Sequence, residues 1–515
     1  MEGDRNMPKG VAKGGQAQLP LNNRSLLRSD SYINGRWVQA KSGKTNPVIN
    51  KATLEEIGKV PAQSKEDTEA AIDAAYDAYP AWSKRTPKER HDMLYKLYHK
   101  INENADDLAH IIVAENGKPL ADAKAEVAYS NSFVEWFAEE ALRVYGTTVP
   151  SPSPGVRNVV IKQPVGVAGL LAPWNFPLAM ITRKLSPALA VGCTAVIKAP
   201  CEAPLSALAF ATLAEEVGFP AGVINVLIAP RGEDEQLMGQ TLCESPKLRT
   251  ISFTGSTRVG KILMKQSAGT LKKLSMELGG NAPFIVFDDA NLDLAVDNLV
   301  GCKFRCTGET CVSANRIFIA DKIFDEFAKK LTEKVSEFKV GYGMDKDVIV
   351  GPLNNEGGKK KVEEHVNKVK EAGGKVLVGG QPGEGLFFEP TVAVAAQGKP
   401  MVRARERGVL TQPTDQEETF GPLAVLYRFS SEEEVIERAN SVDVGLGGYF
   451  FSQDVGRCFR VGEALQVGMV GINTGMISQN TIPFGGVKES GFGREGGPTG
   501  VDEFLVEKAL VFSGL

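Results

Sequence analysis

Histidine is scarce in this chain. Only four occur in 515 residues, at His91, His99, His110 and His365, and three of them fall in one N-terminal stretch of helical spacing. That speaks against a histidine-built metal site. A Cys–His nucleophile pair would need a tertiary approach that the sequence does not reveal, so a carboxylate is the better candidate for a general base. An excess of either charge is also missing: 59 Lys and Arg face 63 Asp and Glu, a net charge of −4. Nothing in that balance favours nucleic acid or an anionic membrane, and the expected partner is a small molecule.

A clean membrane span is lacking too. Residues 163–182 carry no charge over twenty positions, but Pro173 and Pro177 stand in their middle. Two prolines four apart would break a lipid-exposed helix, so the stretch reads as a buried strand entering a loop. The first thirty residues have no apolar core of a secretory signal and mix Glu2, Asp4 and Asp30 with Arg5, Lys9, Lys13, Arg24 and Arg28. Acids make a poor mitochondrial presequence; a disordered tail over residues 1–30 and a cytoplasmic location are expected. Seven cysteines without a secretory signal imply reduced thiols rather than a disulfide frame. There is no internal repeat.

What is present is globular in kind. Length sets a prior of about three domains of roughly 150 residues each. The 54 glycines and 28 prolines suggest many tight connections. Helical spacing over 68–79, 87–104 and 106–116 predicts a helical layer. From Val165 onward, short apolar runs at 165–172, 194–199, 223–228 and 250–253 alternate with helix-length segments at 179–191, 204–217, 233–243 and 257–267. This alternation predicts a doubly wound parallel sheet whose ligand, usually a nucleotide, sits at the carboxyl ends of the strands. A second α/β unit starts near Ala282, with helical runs at 292–304, 322–339 and 357–372. The strand-like stretch 504–512 lies outside both blocks and is expected to pair with another segment or another subunit.

Several motifs carry chemistry. Residues 255–261 nearly spell a phosphate-binding P-loop, but Ile262 stands where Ser or Thr must ligate magnesium, leaving a strand-to-helix turn whose helix N-terminus can still face a phosphate. A GxGxxG fingerprint is missing, which weakens a standard Rossmann reading. Cys302, Cys306 and Cys311 fall within ten residues, yet no histidine is near in sequence to complete a metal site. Cys302 reads as helix core. Cys311 ends a turn-like entry after Gly308, Glu309 and Thr310, where a thiol can be presented from the backbone. Glu277 ends an apolar strand ahead of Gly279 and Gly280, so it is either aimed into a cleft between the two units or an exposed strand end.

Five motifs occur in order: Pro173-Trp174-Asn175-Phe176-Pro177, Phe253-Thr254-Gly255-Ser256, Glu277-Leu278-Gly279-Gly280, Gly308-Glu309-Thr310-Cys311 and Glu417-Glu418-Thr419-Phe420-Gly421-Pro422. Together they resemble the aldehyde dehydrogenase superfamily across about residues 30–515. Residues 180–184, 303–305, 471–478 and 483–488 are most similar to the succinate-semialdehyde branch. The resemblance implies an α/β fold of two doubly wound domains plus a small β oligomerisation element. It places a dinucleotide-binding domain at 31–145 and 163–278, a catalytic domain at 279–478, and bridging segments at 146–162 and 479–515.

In function, the resemblance implies a Cys311 nucleophile that forms a thiohemiacetal and then a thioester. Glu277 would activate the hydrolytic water, and Asn175 would stabilise the oxyanion together with the Cys311 N–H. The cofactor, NADP or NAD with NADP favoured or both used, would be held by Trp174, Lys198, Cys201, Gly255, Ser256, Leu278, Glu418 and Phe420. Arg183, Arg305 and Ser478 would hold the carboxylate of a semialdehyde, a task that suits guanidinium chemistry. No metal is implied, and a homodimer or homotetramer is.

This sequence also departs from the family. Glu309 stands where Gln is usual and Cys306 where Asn is usual, and a carboxylate facing Cys311 would disfavour its thiolate. Ser313 replaces the second Cys often found two residues after the nucleophile. About twelve extra residues, including Arg403, Arg405 and Arg407, lie between Thr391 and Glu417. Three functions remain in competition: oxidation of succinate semialdehyde, oxidation of another semialdehyde such as glutarate semialdehyde, and a catalytically silent protein that keeps the fold.

Overall fold

The computed structural model describes residues 19–396 and 417–514. Eight strands form one sheet, in the order Arg36–Val38, Ser31–Ile33, Ile224–Ile228, Thr194–Ala199, Val167–Leu171, Leu248–Thr254, Lys273–Glu277 and Gly491–Phe492. Its five central strands are parallel. Val167–Leu171 and Ile224–Ile228 are buried at every position, as expected for strands covered by helices on both faces. Strand order reverses at Val167–Leu171, with Thr194–Ala199 on one side and Leu248–Thr254 on the other. In doubly wound sheets the crevice at such a reversal, outside the strand carboxyl ends, takes the ligand.

Seven strands form a second sheet, ordered Lys375–Val378, Thr391–Val394, Leu423–Phe429, Ala314–Ala320, Ala282–Val286, Gly447–Phe451 and Met469–Ile472. All pairs are parallel except the outer one between Lys375–Val378 and Thr391–Val394. The expected pair of doubly wound α/β units is therefore present. Helices follow the predicted runs closely: Ala179–Val191, Thr257–Ser267 and Leu292–Phe304 begin and end where the spacing places them. Helix starts are fixed by local chemistry, as at Ser64 and Asp67, which satisfy each other's backbone N–H groups ahead of Lys65–Ser83.

The last twelve residues of the expected tail are ordered. Residues 19–30 are packed, with Leu21 and Leu26 in the core and the Asn22 and Asn23 N–H groups donating to Asp107. Mixed charge concealed this, because two buried leucines suffice to pin so short a segment. Residues 1–18 lie outside the described residues, as do 397–416, which contain most of the extra stretch after Thr391 with Arg403, Arg405 and Arg407. Among the described residues no helix is long and apolar enough to cross a membrane.

Leu505–Phe512 pairs antiparallel with Arg157–Pro164, which pairs in turn with Thr147–Val149. This ribbon is separate from both large sheets, and Val506, Val511 and Phe512 stay exposed on its outer strand. Gly491–Phe492, also within 479–515, instead adds to the edge of the eight-stranded sheet beside Glu277.

Candidate active site

Four loops leave the carboxyl ends of the parallel strands in the first sheet, and each carries residues expected to meet a dinucleotide. After Val167–Leu171 come Trp174 and Asn175; after Thr194–Ala199, Cys201; after Leu248–Thr254, Gly255 and Ser256; after Lys273–Glu277, Leu278. The Ser256 hydroxyl accepts from the Val259 N–H and caps Thr257–Ser267, leaving a helix N-terminus at the sheet's switch point. Lys198 pairs with Glu235 at the start of the neighbouring helix. The Trp174 ring meets Phe420 edge to face at 5.7 Å. Glu418 accepts from the Gly280 N–H at 3.4 Å, and a Cβ on Gly279 would come within 3.1 Å of the same carboxylate. Backbone trimmed to glycine, an aromatic pair and a capped helix start fit a dinucleotide.

Cys201 and Glu202 lie in a turn. Glu202 pairs with Arg231, 2.5 Å from its Nε. Burial, with Glu202 beside it, pushes the Cys201 thiol up to about 12.

The nucleophile candidate Cys311 sits between helix Leu292–Phe304 and strand Ala314–Ala320. Its loop is wedged from two sides: a Cβ on Gly280 would meet the Cys311 carbonyl at 2.8 Å, and one on Gly308 would meet the Gly421 carbonyl at 2.3 Å. Glycine is required at both places for the three loops to close together. Burial pushes the Cys311 thiol up to about 12, with Arg183 opposing. Glu277 is buried at the end of its strand, and neither of its carboxylate oxygens has a hydrogen-bond partner among the described residues. Burial first, and the Glu495 charge second, hold its carboxyl well above the usual range. The Asn175 side-chain amide donates to the Glu309 carbonyl at 3.1 Å, which ties it to the Cys311 loop.

Cys311 opens onto a cavity of about 140 Å³, also lined by Arg183, Arg305, Ser478, Tyr129 and Phe484. That is well below the ~300–1,000 Å³ of sites for drug-sized ligands, and suits a small substrate. The acids at its wall are already engaged: Asp122 accepts from the Cys306 N–H at 2.7 Å, and Glu126 pairs with Lys118 at 2.6 Å. Arg183 stacks on Phe484 at 4.0 Å and lies 2.7 Å from Glu495. Arg305 makes no ion pair among the described residues; its Nε is buried without a partner and its Nη1 lies 3.4 Å from the Met476 sulfur. No histidine lines the cavity, and among the described residues no three His, Cys, Asp or Glu side chains are grouped to hold a metal.

The profile described as aldehyde dehydrogenase family matches residues 37–510. The chain belongs to the aldehyde dehydrogenase family. It is 51% identical to succinate-semialdehyde dehydrogenase [NADP(+)] 1 of Schizosaccharomyces pombe, over 94% of this chain and 95% of that one. It is 48% identical to glutarate-semialdehyde dehydrogenase of Pseudomonas putida, over 96% and 100%. The crystal structure of an Escherichia coli NADP-dependent enzyme superposes with a TM-score of 0.91 at 48% identity, covering 96% of this chain and 100% of that one.

Within this aldehyde dehydrogenase fold the two departures near the nucleophile have local explanations. Glu309 does not face the thiol: its carboxylate accepts from the Asn354 N–H at 3.0 Å, and burial raises it to about 8. Cys306 adopts a left-handed backbone, with φ of 51°, followed by Thr307 at 56°. Asn tolerates that region better than most residues, which accounts for the family's usual choice there and makes Cys306 a strained substitute.

Sequence reasoning missed the supports. Glu495, Lys184, Glu126 and Lys118 are buried, and Lys184 meets Glu495 from 311 residues away in sequence. Glu126 accepts from the Leu178 and Ala179 N–H groups at the start of Ala179–Val191, while Lys118 donates to the Asn175 carbonyl at 2.8 Å. Of these only Lys184 carried a signal, as a charge inside the largely apolar helical run 179–191, since such groups stay buried only when paired.

Proposed function

We propose that this protein oxidises succinate semialdehyde to succinate with NADP. The observation that carries the reading is the single small cavity in which Cys311, Arg183, Arg305 and Ser478 meet. An aldehyde bearing a carboxylate two methylenes away would place its acid on the guanidinium groups and the Ser478 hydroxyl while its carbonyl carbon faces the Cys311 sulfur. The similarity to an NADP-dependent succinate-semialdehyde dehydrogenase, over nearly the full length of both chains, supports the same substrate.

In this reading the Cys311 thiolate attacks the carbonyl carbon, and the oxyanion is held by the Asn175 amide and the Cys311 N–H. The bound nicotinamide supplies the oxidising equivalent that takes the carbon from the aldehyde to the acyl level. Glu277, without a hydrogen-bonding partner of its own, takes a proton from the water that attacks the Cys311 thioester, and succinate leaves with the thiolate restored. Lys198, Cys201 and Ser256 would hold the ribose and phosphates of the dinucleotide, and Glu418 and Phe420 its nicotinamide end. Residues 31–145 and 163–278 form the proposed dinucleotide-binding domain, which also contributes Asn175 and Glu277 to the acyl chemistry, and 279–478 form the catalytic domain, which contributes Glu418 and Phe420 to the cofactor.

Glutarate semialdehyde is the second reading, favoured by the 48% identity to a dehydrogenase of that substrate. Two arginines fix an acid without fixing chain length. Comparing kcat/KM for semialdehydes of increasing length, read by formation of reduced cofactor, tests the assignment: the four-carbon substrate should lead. No turnover of any semialdehyde by folded, reduced protein would leave the silent reading standing. The exposed outer strand Leu505–Phe512 is the proposed subunit contact, in a homodimer or homotetramer detectable by sedimentation, since an apolar strand edge left unpaired invites association.

A further inference from the structure

The helix Glu356–Glu371 touches the active site twice without entering it. At its start, the Asn354 N–H holds the Glu309 carboxylate of the nucleophile loop, while Asn355 caps the helix. One face further on meets residues 417–421. A Cβ on Gly421 would strike the Val362 side chain at 2.4 Å, so helix and segment are in direct contact there. One turn later His365, wholly buried, lies 2.7 Å from the Thr419 hydroxyl through Nδ1 and 3.3 Å from the Glu417 carboxylate through Nε2.

Those two partners flank Glu418. A carboxylate can only accept, so Nε2–H donates to Glu417. Burial lowers the imidazole pKa, which leaves the ring neutral at pH 7 and Nδ1 free to accept from the Thr419 hydroxyl. From the opposite side the buried Lys303 ammonium donates to the Thr419 carbonyl at 3.4 Å and to Asn315 at 3.1 Å. The segment is thus gripped at its backbone by one strand-side cation and at its side chains by one imidazole. Its two remaining groups, Glu418 and Phe420, are left facing Gly280 and Trp174.

We propose that His365 is a positioning residue for the cofactor: by fixing Glu417 and Thr419 it sets the rotation of the segment that presents Glu418 and Phe420 to the nicotinamide end. The inference rests on the reading of Glu418 and Phe420 as cofactor contacts. A neutral, two-sided hydrogen-bonding group is what this place needs, because a hydrocarbon would leave the Thr419 hydroxyl without its acceptor and free the segment to turn.

The test uses the full-length protein with His365→Leu, His365→Gln and Thr419→Val, alongside Glu418→Gln. Steady-state KM for NADP and for the semialdehyde are measured separately, with NADPH binding followed by its fluorescence. His365→Leu is expected to weaken NADP and NADPH about tenfold, the size of one lost hydrogen bond, with the semialdehyde KM within about twofold. Gln, which can both donate and accept, should recover most of the loss. Thr419→Val, which removes only the hydroxyl, should shift the same constants in the same direction and serves if His365→Leu does not fold. Unchanged nucleotide binding in both His365→Leu and Thr419→Val, or both substrates weakened equally, or Gln no better than Leu, would overturn the proposal. If Glu418→Gln leaves nucleotide binding untouched, the cofactor role of the segment itself fails, whatever His365 does.

Discussion

Arg183 and Glu495 form a buried ion pair, 2.7 Å apart, directly behind the cavity that Cys311 opens onto. Lys184, the next residue along the helix, occupies the other Glu495 oxygen. One carboxylate therefore takes both nearby cations, and Glu277 is left buried with neither. Its carboxyl is raised by burial and by the Glu495 charge, so at low pH it is neutral and cannot act as a base. The sign follows: the base form appears as pH rises through the elevated pKa and is lost as pH falls through it. Under saturating substrates kcat should climb with pH above the range in which an ordinary carboxyl titrates, measured in buffers of constant ionic strength. A flat profile above that range would mean that deacylation does not depend on Glu277.

Substitution separates the two chemical steps. Cys311→Ala should abolish turnover while leaving nucleotide binding nearly intact, because Cys311 is not among the residues read as holding the dinucleotide. Glu277→Gln should release one equivalent of reduced cofactor per active site and then stall at the thioester, seen as a stopped-flow burst. Steady turnover by Cys311→Ala would show the nucleophile to be misassigned, and a missing burst in Glu277→Gln would place this carboxylate in acylation as well.

The two cavity arginines should not contribute equally. Arg183 is already partnered by Glu495, whereas Arg305 makes no ion pair among the described residues; the Nε of each is buried without a hydrogen bond. Arg305→Ala should raise KM for succinate semialdehyde about 10- to 100-fold, the equivalent of ~1.5–3 kcal/mol for a hydrogen bond to a charged group, with Arg183→Ala costing less. Neither should alter KM for an uncharged aldehyde of similar length by more than about twofold, since that substrate makes no charged contact. Equal losses on both substrates would identify the arginines as structural.

What the sequence made legible was whatever is written locally. Helix Leu292–Phe304 and strand Thr194–Ala199 have the observed ends because their periodicity and flanking turns are contiguous. Cys311, Glu277 and Asn175 stood out because they adjoin Gly- and Pro-rich turns. The groups that tune them did not: Glu495 lies more than two hundred residues from Glu277, and Gly491–Phe492 reaches that strand only through sheet pairing. The orientation of Glu309 was equally hidden. Its partner is a backbone N–H at Asn354, and backbone donors have no sequence signature. Residues 19–30 show the reverse limit, since composition suggested a loose tail while Leu21 and Leu26 pack into the core.

Cofactor choice should turn on the loop after Thr194–Ala199. A Glu at position 201 would accept hydrogen bonds from both ribose hydroxyls and repel a 2′-phosphate, but the residue there is Cys201, and burial keeps its thiol uncharged by raising it to about 12. The adjacent Glu202 is turned onto Arg231, where the pair neutralises a carboxylate that would otherwise oppose the phosphate. Lys198 is paired only with Glu235, a side chain about a third exposed and able to swing aside, so the ammonium can be surrendered to a dianion. NADP should therefore be used at least as efficiently as NAD. Cys201→Glu should reverse the preference, by at least about tenfold in the ratio of kcat/KM values, because one newly buried like-charge contact costs on the order of 1–3 kcal/mol. Arg231→Ala frees Glu202 and should weaken NADP more than NAD. If the unmodified protein instead uses NAD tenfold or more efficiently, in terms of ~1.4 kcal/mol per decade, then Glu202 leaves Arg231 for the ribose when nucleotide binds.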